Sequence, residues 1–228
     1  MNLFYDCANL AMKALLLAFA RLEVTGRENV PLEGPLLVVS NHLHIADPSL
    51  LGVAIPRRIN FMGKEELFRH PLLSALITAY GTFPVKRNTA DRQALRRAAK
   101  VLDTGGALGV FPEGRRNPHH GMTRAEAGVA LIAHRSRPTI LPVGITGTEE
   151  IHGLSVILKR PRIRVVIGLP FALPAIDGRS DSKMLSSRAD EIMHRIAGLL
   201  PPRYLGFYAD LPGKQNSQAE VAGEGESK

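Results

Sequence analysis

The chain has 228 residues, 45% of them apolar and 22% charged, which is enough for one domain with a substantial core. Its net charge is +8, and because Asp210, Glu220, Glu224 and Glu226 outweigh Lys214 and Lys228 by two, residues 1–208 carry +10. A basic body favours anionic partners, the lack of Trp argues against base-stacking platforms for nucleic acid, and the single cysteine, Cys7, excludes an internal disulfide or a zinc–cysteine site.

Residues 2–21, NLFYDCANLAMKALLLAFAR, show helical periodicity. Leu3, Phe4, Cys7, Leu10, Ala11, Ala14, Leu17 and Ala18 recur at steps of three and four, with Asn2, Asp6, Asn9 and Lys13 opposite. Such a helix either docks on its own core or lies in a membrane interface, and its wide apolar side favours the membrane. No apolar run of about twenty residues is present for a transmembrane span, and no signal-peptide pattern precedes the domain.

EVTGRENVPLEGP then carries turn signals. LLVVSNH reads as a buried strand ending at Ser40, and PSLLGVAI as a helix beginning at Pro48. INFMGKEELF gives a short strand and then a helix start, LLSALITAY a helix, and GTFPVKR a strand or tight turn. Residues 90–104 form an alanine-rich helix, GGALGVFPEG a strand entering a loop, and TRAEAGVALIAHRS a helix. TILPVGITG and RIRVVIGLPF are strands, and SKMLSSRADEIMHRIAGLL is a last helix stopped by Pro201 and Pro202. The alternation predicts an α/β fold with a mostly parallel central sheet flanked by helices. Residues 1–22 are expected to be an amphipathic membrane-associating helix, 23–211 the main domain, and 212–228 a disordered acidic tail.

Ligands of α/β sheets collect at the carboxyl ends of the strands, so the loops there hold the candidates. In SNHLHIADPSLL, Asp47 before Pro48 reads as a helix cap. The turn also brings Asp47 back to His42, where a carboxylate on one ring nitrogen leaves the other free to take a proton from an alcohol. A metal reading uses His42, His44 and Asp47, but His70, His119, His120, His134, His152 and His194 complete no ligand spacing. Arg87 closes GTFPVKR, where its planar fork suits a phosphate. In FPEGRRNPHHG, Gly114 permits close approach, Arg115 and Arg116 suit phosphate, and Glu113 suits a polyol or orients an arginine.

NHLHIAD, GTFPVKR, FPEGRR and ILPVGITG, in this order, resemble the four sequence blocks of the glycerolipid acyltransferases, in particular those acting on 1-acylglycerol-3-phosphate. The resemblance covers roughly residues 20–208. It implies an α/β fold with a membrane-associating N-terminal segment and assigns roles to matching residues. His42 is implied as general base and Asp47 as its orienting partner. Arg87, Glu113, Gly114, Arg116 and Lys64 are implied in substrate binding, and Pro142 near the acyl or acceptor site. Arg115 stands where the family commonly has a threonine, which leaves the acceptor open. The implied reaction moves a fatty acyl group from acyl-coenzyme A or acyl carrier protein to the sn-2 hydroxyl of the lysophospholipid acceptor, giving phosphatidic acid. No cofactor beyond that co-substrate, no metal and no nucleic acid are expected. The implied location is an anionic membrane surface on the cytoplasmic face. Transfer to another lyso-lipid or alcohol, and a metal-dependent hydrolase on His42, His44 and Asp47, remain alternatives.

Overall fold

LLVVS does not alternate between polar and apolar, and every residue of Leu36–Ser40 is buried. A strand covered on both faces belongs at the centre of a parallel sheet. The structure is a computed structural model, described here for residues 3–86, 89, 91–118, 121–151, 153, 159–174 and 181–209. Its strands are β1 (Arg21–Thr25), β2 (Leu36–Ser40), β3 (Ile59–Lys64), β4 (Thr82–Val85), β5 (Ala107–Val110), β6 (Thr139–Thr146) and β7 (Arg162–Ile167). They form one sheet in the order β1-β7-β6-β2-β5-β3-β4. From β6 to β4 all pairings are parallel, with Leu36 opposite Ala107 and Thr139. β7 runs antiparallel to β6, and β1 is parallel to β7, so the two strands at one end of the sheet reverse the sense.

The helices are α1 (Leu3–Phe19), α2 (Asp47–Ala54), α3 (Pro71–Ala79), α4 (Arg92–Asp103), α5 (Gly128–Ser136) and α6 (Ser182–Ala197). Right-handed crossovers send α2 and α3 to one face of the sheet, and α4 and α5 to the other. The first face is built on Leu36, Val38, Leu50, Leu51 and Phe61; the second on Leu37, Val39, Leu102, Ile132 and Ile192. Each such fully buried side chain contributes roughly 1.5–3 kcal/mol. The 90–104 helix begins at Arg92 because the Asp91 carboxylate accepts from the amides of Gln93 and Ala94.

α1 lies on the α2 face, and its contact side is not the one that its periodicity suggests. Tyr5 and Leu16 are buried and Asn9 and Met12 half-buried, whereas Leu3, Leu10 and Leu17 are 73%, 69% and 60% exposed. Tyr5 stacks on Tyr80 at 4.8 Å, and the Tyr80 hydroxyl donates to Asn9 Oδ1 at 2.6 Å. A side chain on α2 here would push both tips aside: a Cβ on Gly52 would lie 2.3 Å from the Tyr80 hydroxyl and 2.7 Å from Asn9 Oδ1. Docking and an exposed apolar stripe therefore coexist on one helix. Among the described residues, no helix is long and apolar enough to cross a membrane.

Three boundaries differ from the sequence reading. Arg21–Thr25, read as the end of α1 and a turn, is an edge strand whose Leu22 and Val24 alone turn inward. The helix expected from Thr123 starts at Gly128, because residues 121–126 bond elsewhere: Glu126 N–H donates to Pro112 O, and Met122 is clamped by the C-terminal segment. The last helix stops at Ala197. The expected acidic tail, 212–228, lies outside the described residues.

Candidate active site

The loop after β2 is closed by Asp47. Its Oδ2 accepts from His42 Nδ1 at 2.8 Å, from Leu43 N–H at 2.7 Å and from His44 N–H at 2.8 Å. Asp47 is wholly buried, and its Oδ1 meets no hydrogen-bond partner among the described residues. It is not the cap expected from the sequence: α2 begins at Asp47 itself, Ala46 holds the cap position, and no side chain caps it. One oxygen thus both ties the turn and holds the imidazole. A buried carboxylate is tolerable with such donors, and three of them fix it tightly.

With Nδ1 held, Nε2 is the nitrogen left to face a substrate, and the His42 side chain retains 12% exposure. The rest of His42 is fixed by the loop after β5. Its ring stacks on Phe111 at 4.0 Å with 18° between planes, its N–H donates to Glu113 Oε1 at 3.1 Å, and its carbonyl accepts from Asn117 N–H at 2.8 Å. From the other side, Asn41 clasps β6: its Nδ2 donates to Ile145 O and its Oδ1 accepts from Ile145 N–H, both at 2.8 Å.

Glu113 turns inward. It is 4% exposed, and its second oxygen accepts from Thr123 N–H at 2.8 Å and the Thr123 hydroxyl at 3.2 Å. Burial pushes its carboxyl above the usual carboxylate range, and the bonds from Thr123 and His42 oppose that rise. The receiving loop is itself anchored: Met122 N–H donates to Tyr204 O, and Phe207 N–H to Met122 O, each at 2.8 Å. Gly121 permits this, since a Cβ there would lie 2.6 Å from Gly206 N.

The other candidates stand apart from this cluster. Gly114 makes the turn that returns its N–H to Phe111 O. Arg115 and Arg116 are exposed beyond it. Lys64, at the carboxyl end of β3, is half-exposed and pairs with Glu66 at 3.2 Å. Arg87 lies outside the described residues, as do His119, His120 and His152. His44 Nδ1 accepts from Ala46 N–H at 3.3 Å, and among the described residues no three His, Cys, Asp or Glu side chains gather to hold a metal ion. Sequence reasoning did not single out Asn41, Phe111, Asn117 or Thr123. All four sat inside quoted stretches, but nothing local marks Asn117 or Thr123 as bonding to the His42 loop and Glu113.

The acyltransferase family model matches residues 21–146, which contain this whole cluster. The 1-acyl-sn-glycerol-3-phosphate acyltransferase of Bacillus subtilis (strain 168) is 25% identical over 194 residues, covering 85% of this chain and 94% of that protein. The protein of the same name from Borreliella burgdorferi is 30% identical over 140 residues, and the chain spans only 56% of its length. The crystal structure of a 1-acyl-sn-glycerophosphate acyltransferase from Thermotoga maritima aligns with a TM-score of 0.66 at 24% identity, covering 86% of this chain and 78% of that one; this likeness is one of fold.

Proposed function

This chain belongs to the acyltransferase family, and from that premise we propose that it acylates the sn-2 hydroxyl of 1-acylglycerol-3-phosphate, using acyl-coenzyme A or acyl carrier protein as donor. The observation that carries the reading is the His42–Asp47 pair, with Nδ1 held at 2.8 Å and the opposite ring nitrogen left for substrate. His42 Nε2 takes the proton of the acceptor hydroxyl as that oxygen bonds to the thioester carbonyl carbon. The carbon–sulfur bond then breaks, and the thiolate leaves with the proton that His42 returns. Asp47 fixes the tautomer and stabilises the imidazolium. General-base assistance of this kind is worth about 10²–10⁴-fold in rate.

Ser40, two residues before His42, is wholly buried and donates its hydroxyl to Asn41 O at 3.1 Å, so it has no setting as a nucleophile, which favours direct attack by the acceptor. Arg116 and Lys64, exposed near the carboxyl ends of β5 and β3, are read as cations for the acceptor phosphate, together with Arg87. Glu113 and Gly114 serve the acceptor indirectly in this reading: Glu113 holds the His42 loop against the Thr123 loop, and Gly114 shapes the turn. The exposed leucine stripe of α1 seats the protein on the membrane face where acyl thioesters are supplied, the cytoplasmic one.

Product analysis tests it. Purified protein is given palmitoyl-coenzyme A or palmitoyl acyl carrier protein, with lysophosphatidate, lysophosphatidylcholine or glycerol-3-phosphate. Phosphatidic acid formed only with lysophosphatidate supports the proposal; acylation of another acceptor in its place overturns the assigned substrate. Acceptor-independent thiol release that is lost on chelation points to the metal-dependent hydrolase instead.

A further inference from the structure

α3 is an apolar helix whose inner side, Ser74, Ile77 and Ala79, is only half-buried. Pro71–Ala79 reads PLLSALITA, and none of its residues is buried, although it crosses between two paired strands of the sheet. Leu72, Leu73 and Leu76 are 66%, 39% and 45% exposed, and Leu67, in the 3₁₀ turn before the helix, is 39% exposed. An isolated exposed leucine is ordinary, but a cluster of four on one short segment is not. Nor is the cluster isolated from α1. Tyr80, which closes α3, stacks on Tyr5 and bonds Asn9, so the end of α3 joins the helix that carries the leucine stripe. Ile45, 63% exposed, lies in the loop that leads into α2, two residues before Asp47. Among the described residues, Leu32, Leu169 and Phe207 are the only exposed large hydrophobics lying elsewhere.

We infer that α3 and the turn before it form a second bilayer-seating element, which with α1 holds the Ile45 loop against an anionic lipid surface. Charge selects this occupant. Lys13 lies on α1 with Asp6, Arg58 stands over the Tyr5 ring at 5.7 Å, and Lys64, Arg69 and Lys86 adjoin the turn Glu65–Phe68, on a body that carries +10. Glu66 and Glu65 are themselves paired with Lys64 and Lys86. An aliphatic face rimmed by cations suits the headgroup boundary of an anionic bilayer. A protein partner would more often meet aromatic anchors, whereas the exposed large side chains of this segment, Leu67, Leu72, Leu73 and Leu76, are all aliphatic. The inference rests on the reading of α1 as an interfacial helix and of the acceptor as a lipid. It adds that the bilayer is met by α3 as well as by α1, the two being joined through Tyr80.

The test is partitioning of the full chain onto phosphatidylglycerol and phosphatidylcholine vesicles. It compares wild type, Leu72→Glu/Leu76→Glu, Leu10→Glu in α1, and Leu169→Glu as a control distant from the face. These leucines are exposed, so the variants should fold, which circular dichroism checks. The expected result is stronger binding to phosphatidylglycerol, a loss of about tenfold or more for both the α3 and the α1 variants, and none for the control. Turnover of a short-chain, water-soluble acceptor should be unchanged by Leu72→Glu/Leu76→Glu. If only the α1 variant loses binding, or if the α3 variant alters self-association and leaves partitioning intact, the inference is overturned. Short-chain turnover reports separately on the reaction: its absence in a wild type that binds vesicles counts against the proposed chemistry and leaves the seating intact.

Discussion

Asp47 holds three donors on one oxygen, and that arrangement separates two roles by a single substitution. Asp47→Asn keeps an acceptor oxygen for His42, Leu43 and His44 but removes the charge that stabilises an imidazolium. The fold should therefore survive with a stability change within about 1–3 kcal/mol, while turnover falls by about 10²-fold or more. Thermal melting and steady-state rates on the same preparation check this; near-normal turnover would reduce Asp47 to a brace for the loop. Glu113 carries a second residue-scale prediction. Burial raises its carboxyl in the folded protein, so the folded state binds more protons than the unfolded one above the usual carboxylate value of about 4.3. Its contribution to stability then declines as pH rises from that value through the raised one, and is flat beyond. Glu113→Gln should remove this decline, at the cost of the acceptor for Thr123 N–H. Melting temperatures across acid pH decide it: an unchanged slope in the variant assigns the effect to another carboxylate.

Among the elements, α1 shows how periodicity reports composition better than contact. The leucine stripe was legible because Leu3, Leu10 and Leu17 recur every seven residues. The docking side was not, because it is made by Tyr5, Asn9, Met12 and Leu16, and its bonds reach Tyr80, far along the chain. A polar residue with a distant partner looks solvated in sequence. β1 was missed for a related reason: only Leu22 and Val24 turn inward, too short an alternation to stand out. The start of α5 was misplaced because Thr123 and Glu126 bond to the Glu113 loop, which propensity does not register. The close convergence on Gly52 makes a prediction for this element. Gly52→Ala forces the tips of Tyr80 and Asn9 aside and should cost about 1–3 kcal/mol. Because those two side chains join α1 to α3, the variant should also raise proteolytic cutting near α1; melting and limited proteolysis measure both effects, and an unchanged profile would mean that the junction repacks freely.

Over the whole molecule, the parallel part of the sheet sets β2, β5 and β3 side by side, so the loop motifs that follow them come together.

 The separation between His42 and Glu113 is 71 positions, and the sheet closes it to a 3.1 Å hydrogen bond. The motifs themselves were legible because each is a short local loop at a strand end. The bonds that lock them together, such as Asn41 on Ile145 across 104 positions, were not, because sequence pattern carries no long-range pairing. The same assembly makes the central claim testable in one comparison: acyl transfer from thioester to lysophosphatidate by wild type and by His42→Ala, with matched melting curves. The account predicts a folded variant whose turnover falls by about 10²–10⁴-fold. A folded His42→Ala protein that keeps near wild-type turnover would contradict it.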